Sequence, residues 1–291
     1  MSKRITIVGC GDIGRRLALV CLAQGRELSG WVRSDTSVMA LREDRIPSLK
    51  VDLDQPVLGL PSVAGDELYY FAPPPPEGRE DSRVARLIEG FGVSDQPSRV
   101  VYLSTTGVYG DCGGEWVDET RPPAPRVDRA WRRLDAENRW RDWSRQSGGE
   151  LVILRVAGIY GPGKLPVARL QSGRPMVSEV EAPITNHIHS LDLVSVCQAA
   201  MERGVSGEVY NVCDGQPGNM TGYFNEVAGF LNLPRPPVIS LEEAKRQLTP
   251  GMLSYLGESR RLSNRKLVEE LGVTLRYPTL AEGLPASLSE S

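Results

Sequence analysis

Hydrophobic positions recur along the chain in two alternating periods. Residues 4–8 form a short, β-branched run that ends at Gly9, and Ile13, Leu17, Val20 and Cys21 then recur at helical spacing. A strand, a tight turn and a helix are predicted. Strand-like runs at residues 28–32, 49–53, 67–72 and 99–104 follow, with helix-compatible segments between several of them. Strands alternating with helices predict a parallel sheet. The prolines at 73–76 cannot continue a central strand, because proline has no N–H for the ladder. They predict a stiff exit at the carboxyl end of a strand, before a helix at about 81–91. Ligands of open α/β sheets bind at such ends, so Ala72, Pro73 and Pro74 read either as a cofactor-facing edge or as a plain rigid loop.

Beyond Arg129, the spacing of Ala130, Leu134, Trp140 and Trp143 predicts a long amphipathic helix, followed by a strand at 151–156. Glycine, proline and polar residues dominate 161–186, the composition of a loop-rich lobe laid over the ligand edge of the sheet. A helix at 191–201, a strand at 209–213 and helices at 223–231 and 241–248 complete the pattern. The expected fold is α/β: a Rossmann-type doubly wound parallel sheet with a smaller C-terminal substrate lobe. Residues 1–160 are expected to form the dinucleotide-binding domain. Residues 161–291 are read as a mixed segment holding the smaller lobe and the last sheet elements.

Composition narrows the partners. A formal charge of −3 over 291 residues gives no broad positive field for nucleic acid. No apolar run approaches the roughly 18 residues of a spanning helix, so no membrane partner is expected. Five cysteines without a C-x-x-C pair fit isolated thiols in a reducing compartment, and the first strand stops at glycines rather than extending into an export signal. A cytoplasmic location and no metal are expected. Helices flanking such sheets often pair between copies, so a homodimer is one further expectation.

Gly9, Gly11 and Gly14 form G-x-G-x-x-G between a predicted strand and helix, the context in which that pattern carries meaning. Gly9 supplies the turn, Gly11 lets the backbone approach a pyrophosphate, and Gly14 lets helix and strand pack closely. The amides of Asp12 and Ile13 would face the anion. An acidic residue is usual at the end of the second strand of an NAD site, yet here Arg33 stands there, followed by Ser34 and Asp35. A guanidinium can hold a 2′-phosphate, which points to NADP rather than NAD. Asp35 is the alternative ribose ligand, and Arg33 also fits a solvated surface. Asp52 and Leu53 close the third predicted strand, where Asp52 could reach an adenine or simply lead into a loop.

Several segments in order resemble the NAD-dependent epimerase/dehydratase family, the extended short-chain dehydrogenase/reductases. Besides the glycine turn they are Leu103-Ser104-Thr105-Thr106-Gly107-Val108-Tyr109-Gly110, the run from Leu154 to Gly163, NHIHSLD at 186–192, Val209-Tyr210-Asn211-Val212 and the run from Ser263 to Pro278. The resemblance implies a nicotinamide cofactor bordered also by Ser104, Arg133, Ala157 and Ile159. It implies as well a small hydroxyl-bearing substrate such as a nucleotide sugar, with Thr105 polarising the substrate oxygen and Thr106 beside it. Typical members carry Y-x-x-x-K on the following helix; anchored on Glu137, those positions fall on Arg129 and Arg133. Arginine stays protonated and cannot relay a proton as a tyrosine does. The departure resembles an atypical, YeeZ-like branch of that family. Tyr109, Tyr160 and His189 are the candidate substitutes, each with a packing role as its alternative. Asp192, three residues after His189, suggests a pair at the start of a helix or a dyad, and Glu115, Asp118 and Glu119 read as solvated carboxylates. A non-catalytic sensor of the NAD(P) redox state is the rival reading.

Overall fold

A computed structural model describes residues 3–57 and 59–288. The first half runs β1 (Ile5–Val8), α1 (Asp12–Ala23), β2 (Leu28–Val32), α2 (Asp35–Glu43), β3 (Ser48–Lys50), β4 (Glu67–Tyr70), α3 (Ser82–Glu89) and β5 (Arg99–Thr105). A 3₁₀ turn (Thr106–Tyr109), β6 (Trp116–Val117), α4 (Asp128–Ser147), β7 (Glu150–Val156) and β8 (Gly158–Tyr160) follow. The remainder runs α5 (Val167–Gln171), β9 (Met176–Val177), β10 (Ile184–Thr185), β11 (His187–His189), α6 (Ser190–Arg203), β12 (Val209–Val212), β13 (Gly218–Asn219) and α7 (Met220–Phe230). It ends with β14 (Val238–Ile239), α8 (Leu241–Gln247), α9 (Pro250–Leu256), β15 (Arg261–Leu262), α10 (Arg265–Glu269) and α11 (Leu280–Ala286).

Seven strands form a parallel sheet in the order β12-β7-β5-β4-β1-β2-β3. Strand order reverses between β1 and β4, so the carboxyl ends of these strands bound a crevice. Ile5, Ile7, Leu17, Val194, Cys197 and Leu267 share one apolar cluster, which places α1, α6 and α10 on one face. Val84, Leu87, Ala136, Trp140 and Trp143 pack with Val100, Tyr102 and Ile153 on the other, under α3 and α4. Buried on both faces, the strands read as continuous apolar runs rather than alternating ones, as expected of a parallel sheet. All five cysteines are buried free thiols. No helix among the described residues is long and apolar enough to cross a membrane.

Several predicted boundaries shift for identifiable reasons. The third strand stops at Lys50, because the chain turns at Asp52, whose carboxylate accepts the Asp54 amide (3.0 Å). The fourth stops at Tyr70; Phe71 still donates to the Val8 carbonyl before Pro73 ends any ladder. Helix α3 starts one residue later than predicted, since Asp81 is its cap and accepts the Arg83 and Val84 amides. Residues 161–186, read as loop, contain α5, β9 and β10, too short to leave a periodic signal.

Candidate functional site

The turn between β1 and α1 is tight because Gly9 adopts φ +83° and lies against the backbone following β4; a Cβ there would sit 2.2 Å from the Ala72 nitrogen. Gly14 backs onto Ile7, whose Cγ2 a Cβ would approach to 3.1 Å. Gly11 differs: a Cβ would meet nothing nearer than the Gly9 carbonyl at 4.0 Å, so its free side opens onto the crevice. It caps α1 with no side-chain bond, leaving the first amides of that helix without a side-chain acceptor. The open backbone, amide donors and positive helix end form an anion cradle. These residues border a cavity of about 480 Å³ that also takes in Ile13, Arg33, Ser34, Leu53, Ala72 and Pro73.

At the far end of that cavity Ser34 caps α2 through the Ser37 amide, and both serines line the wall. Arg33 is largely exposed and, among the described residues, pairs with Asp54 at 3.5 Å. Asp35, the alternative ribose ligand, turns to Lys50 instead (2.6 Å) and does not line the cavity. Asp52 is likewise absent from the wall, its carboxylate being used in the turn described above. Arg83 was not singled out from sequence. Its guanidinium grips Asp54 through two 2.6 Å bonds and donates to the Pro73 and Pro74 carbonyls (2.8 and 3.1 Å). That grip holds the Asp54 carboxyl below its ordinary pKa and ties the proline edge to the loop after β3.

A second cavity, about 650 Å³, shares Ile159 and Lys164 with the first, and Pro74 lines it. Thr105, at the carboxyl end of β5, faces into it with Thr106, Ala157, Arg129 and Arg133. The Thr105 hydroxyl oxygen accepts the Gly107 amide (3.3 Å), which leaves its proton free for a guest. Arg129 and Arg133, four apart on α4, project into one space. Arg133 donates to the Leu103 carbonyl (3.1 Å), while Arg129 donates to Ser254 (2.6 Å) and lies 4.0 Å over the Tyr255 ring. Glu258 pairs with Arg129 at 3.7 Å and with Arg260 at 3.1 Å.

Besides Asp52, two further residues proposed for the site fall elsewhere. The hydroxyl of Ser104 is buried and donates to Glu137 (2.6 Å), part of an ion-pair network in which Glu137 also receives Arg155 and Arg141. Tyr109 is buried, donates to Asn211 (2.8 Å) and lines neither cavity; burial raises its phenol to about 12 against the pull of Arg155. The other candidate proton donors are also committed. Tyr160 donates to the Thr279 carbonyl (3.3 Å). His189 caps α6, its Nδ1 accepting the Leu191 amide, whereas Asp192 accepts the amides of Arg276 and Tyr277. Glu119 is not a solvated carboxylate: half-buried, it accepts the Asn211 amide (2.7 Å), and burial raises its pKa.

In their place the fold brings His187 and Tyr223 to the second cavity, stacked with ring centres 4.3 Å apart. Burial pushes His187 down to about 4, so it is neutral near pH 7, and raises Tyr223 to about 12. Lys164, in Gly161-Pro162-Gly163-Lys164, carried a readable signal in its glycines and its place after β8. Glu258 and Arg260 carried none, since only tertiary packing of the C-terminal segment brings them in.

Strand order, the glycine turn and the crevice define a Rossmann-type α/β protein. Residues 82–213 match the model of the NAD dependent epimerase/dehydratase family. Over that segment, a little under half of its length, the chain is similar to that family. It is 27% identical to protein YeeZ of Escherichia coli over 95% of this chain and 97% of that one. A solved structure of a functionally unknown conserved protein from Silicibacter pomeroyi is 32% identical, covers 98% of each chain and superposes with a TM-score of 0.84. UDP-glucose 4-epimerase from Thermotoga maritima, solved with UDP-glucose, shares the fold at 18% identity, with a TM-score of 0.77 over 98% of this chain and 97% of that one.

Proposed function

We propose that the protein is an NADP-dependent oxidoreductase or epimerase-like enzyme acting on a small hydroxyl-bearing substrate. The observation that carries this reading is the junction of the two cavities: one groove runs from the amide cradle at Gly11 to the hydroxyl of Thr105, with Ile159 and Lys164 common to both halves. The residues fit a nicotinamide dinucleotide. Gly9, Gly11 and Gly14 with the amides of Asp12 and Ile13 would receive the pyrophosphate, Leu53, Ala72 and Pro73 would flank the adenosine half, and Arg33 with Ser34 would hold a 2′-phosphate. Asp35 turning to Lys50 and Asp52 turning into its own loop support NADP over NAD, since neither carboxylate waits for a ribose hydroxyl. When bound, such a cofactor supplies or accepts hydride.

The chain's own groups then act at the substrate end. Thr105, its oxygen held by the Gly107 amide, donates to the substrate oxygen as charge develops there. Arg133 would hold ribose or substrate oxygens, and Ala157 and Ile159 would exclude water from one side. Residues beyond 160 would supply the substrate lobe. The phenols that reach this cavity are Tyr223 and Tyr255, and one of these, rather than Tyr109, would pass the proton. Thr105→Val removes the donor and keeps the shape. Turnover of NADPH with a carbonyl or sugar-nucleotide panel should fall about 100-fold, by analogy with loss of one oxyanion donor, while NADP+ affinity stays within twofold. Equal loss of both would refute the role.

The rival reading is a non-catalytic NAD(P) sensor. It is favoured by two arginines standing where the family's tyrosine and lysine are expected, with Tyr109, Tyr160 and His189 each engaged elsewhere. Micromolar NADP+ binding without turnover on the full panel would select it.

A further inference from the structure

A third cavity, of about 200 Å³, opens beside the Thr105 cavity and shares Met220 and Tyr255 with it. Its other walls are Pro175, Met176, Val177, Leu248, Met252 and Leu256. Apart from the Tyr255 hydroxyl, no lining side chain offers a conventional hydrogen bond. A nucleobase seated there would lose water from its amide edges with no side chains to replace it. An aliphatic or aryl group loses nothing. The volume suits one, because an apolar cavity of about 150 Å³ holds benzene. Methionines at three wall positions adapt to an irregular guest.

The adjoining Thr105 cavity has the opposite character. Arg129, Arg133, Arg260 and Lys164 line it against the single carboxylate of Glu258. Lys164 is engaged by Asp12 and Arg260 by Glu258. Arg133 bonds only neutral oxygens, those of Leu103 and Tyr102, and ion-pairs with no carboxylate among the described residues. It is a half-buried cation with capacity for an oxyanion.

We infer that the substrate is an amphipathic anion: a carboxylate or phosphate held at Arg133 with Arg129 beside it, a reacting carbon at Thr105, and an apolar arm in the methionine-lined cavity. This rests on the Thr105 cavity being the substrate site. It sets the chain apart from the fold neighbour solved with UDP-glucose, whose ligand carries a base rather than an apolar arm.

The test is a binding series on the full chain, with and without NADP+. Acetate, butanoate, hexanoate and 4-phenylbutanoate are titrated by calorimetry, methyl and hexyl phosphate in parallel, and UDP as the nucleotide arm. Affinity should rise about fourfold per methylene until the arm fills the cavity. The carboxylate and phosphate arms show which oxyanion the arginines prefer. Met252→Trp, which fills the cavity, should flatten the length dependence and leave acetate binding unchanged; Leu256→Trp serves the same purpose should the first variant fail to fold. A flat series in the wild type, a rise that survives both tryptophan variants, or UDP binding that hexanoate does not displace would overturn the inference. NADP+ titrated into the same samples reports the cofactor reading separately, so its failure with the length dependence intact would remove only that reading.

Discussion

Gly9→Ala and Gly11→Ala add the same methyl group two residues apart, and the structure assigns them opposite consequences. At Gly9 the backbone lies at φ +83°, which costs an alanine about 1–2 kcal/mol. The new Cβ would also lie 2.2 Å from the Ala72 nitrogen and 2.7 Å from the Phe71 carbonyl carbon, both backbone atoms that cannot rotate aside. Relieving such overpacking costs roughly 1–3 kcal/mol more. The sum, about 2–5 kcal/mol, is a large part of a typical folding stability. At Gly11, φ is −82° and the methyl enters open space, so stability should stay within about 1 kcal/mol. That open space is where the pyrophosphate would rest. NADP+ affinity should therefore fall at least tenfold, about 1.4 kcal/mol. Urea unfolding and calorimetric titration of the two purified variants separate the effects. A Gly11→Ala protein that binds NADP+ like the wild type would remove the anion from the cradle, and a Gly9→Ala protein of unchanged stability would show that the turn yields at the Ala72 contact.

Arg33→Ala should weaken NADP+ by roughly 10–100-fold, the scale of lost charge-assisted bonds, with NAD+ affinity unchanged; an equal effect on both would show that Arg33 does not read the 2′-phosphate. Glu137→Leu strands the buried guanidinium of Arg155, which Glu137 meets at 2.8 and 3.0 Å, and should cost about 3–5 kcal/mol in urea unfolding; a loss below about 1 kcal/mol would refute the account of that network. Burial raises Asp214 from 3.8 to about 7, so the folded state binds the extra proton. Its contribution to stability is present below pH 3.8 and is lost as pH rises through about 7. Asp214→Asn keeps the oxygen that accepts the Gln216 amide and should remove this fall from the stability–pH curve; identical curves would show the group is not shifted.

The parallel sheet was legible because its strands are apolar on both faces and alternate with helix-compatible segments, the first strand ending at Gly9. The cradle was legible because G-x-G-x-x-G fixes backbone geometry locally, and Thr105 because it ends a strand whose neighbours resemble a family signature. Side-chain commitments over long range were not. Ser104 sits one residue from Thr105, but alternation along β5 turns it toward Glu137 on α4, away from the crevice. Tyr109 looked available in a V-Y-G run until Asn211, 102 residues later, took its hydroxyl. Asp52 does not line the cavity because the third strand ends at Lys50, three residues before its hydrophobicity suggests, and the chain turns there. The second cavity draws on α4, β8, β11, α7, α9 and the segment after it, a gathering that no local pattern encodes.

Lys164 reaches from the loop after β8 to Asp12 on the opening turn of α1, 3.0 Å away, and so spans the seam between the two large cavities. Both partners are partly exposed, which limits the pair to under about 1 kcal/mol, so it behaves as a clasp rather than a rivet. Any guest long enough to stretch from Gly11 to Thr105 must unfasten it or slide below it. A phosphate at the mouth of α1 would offer Lys164 a second anion and crowd Asp12 with a like charge. Filling one half of the groove would thereby loosen the passage into the other.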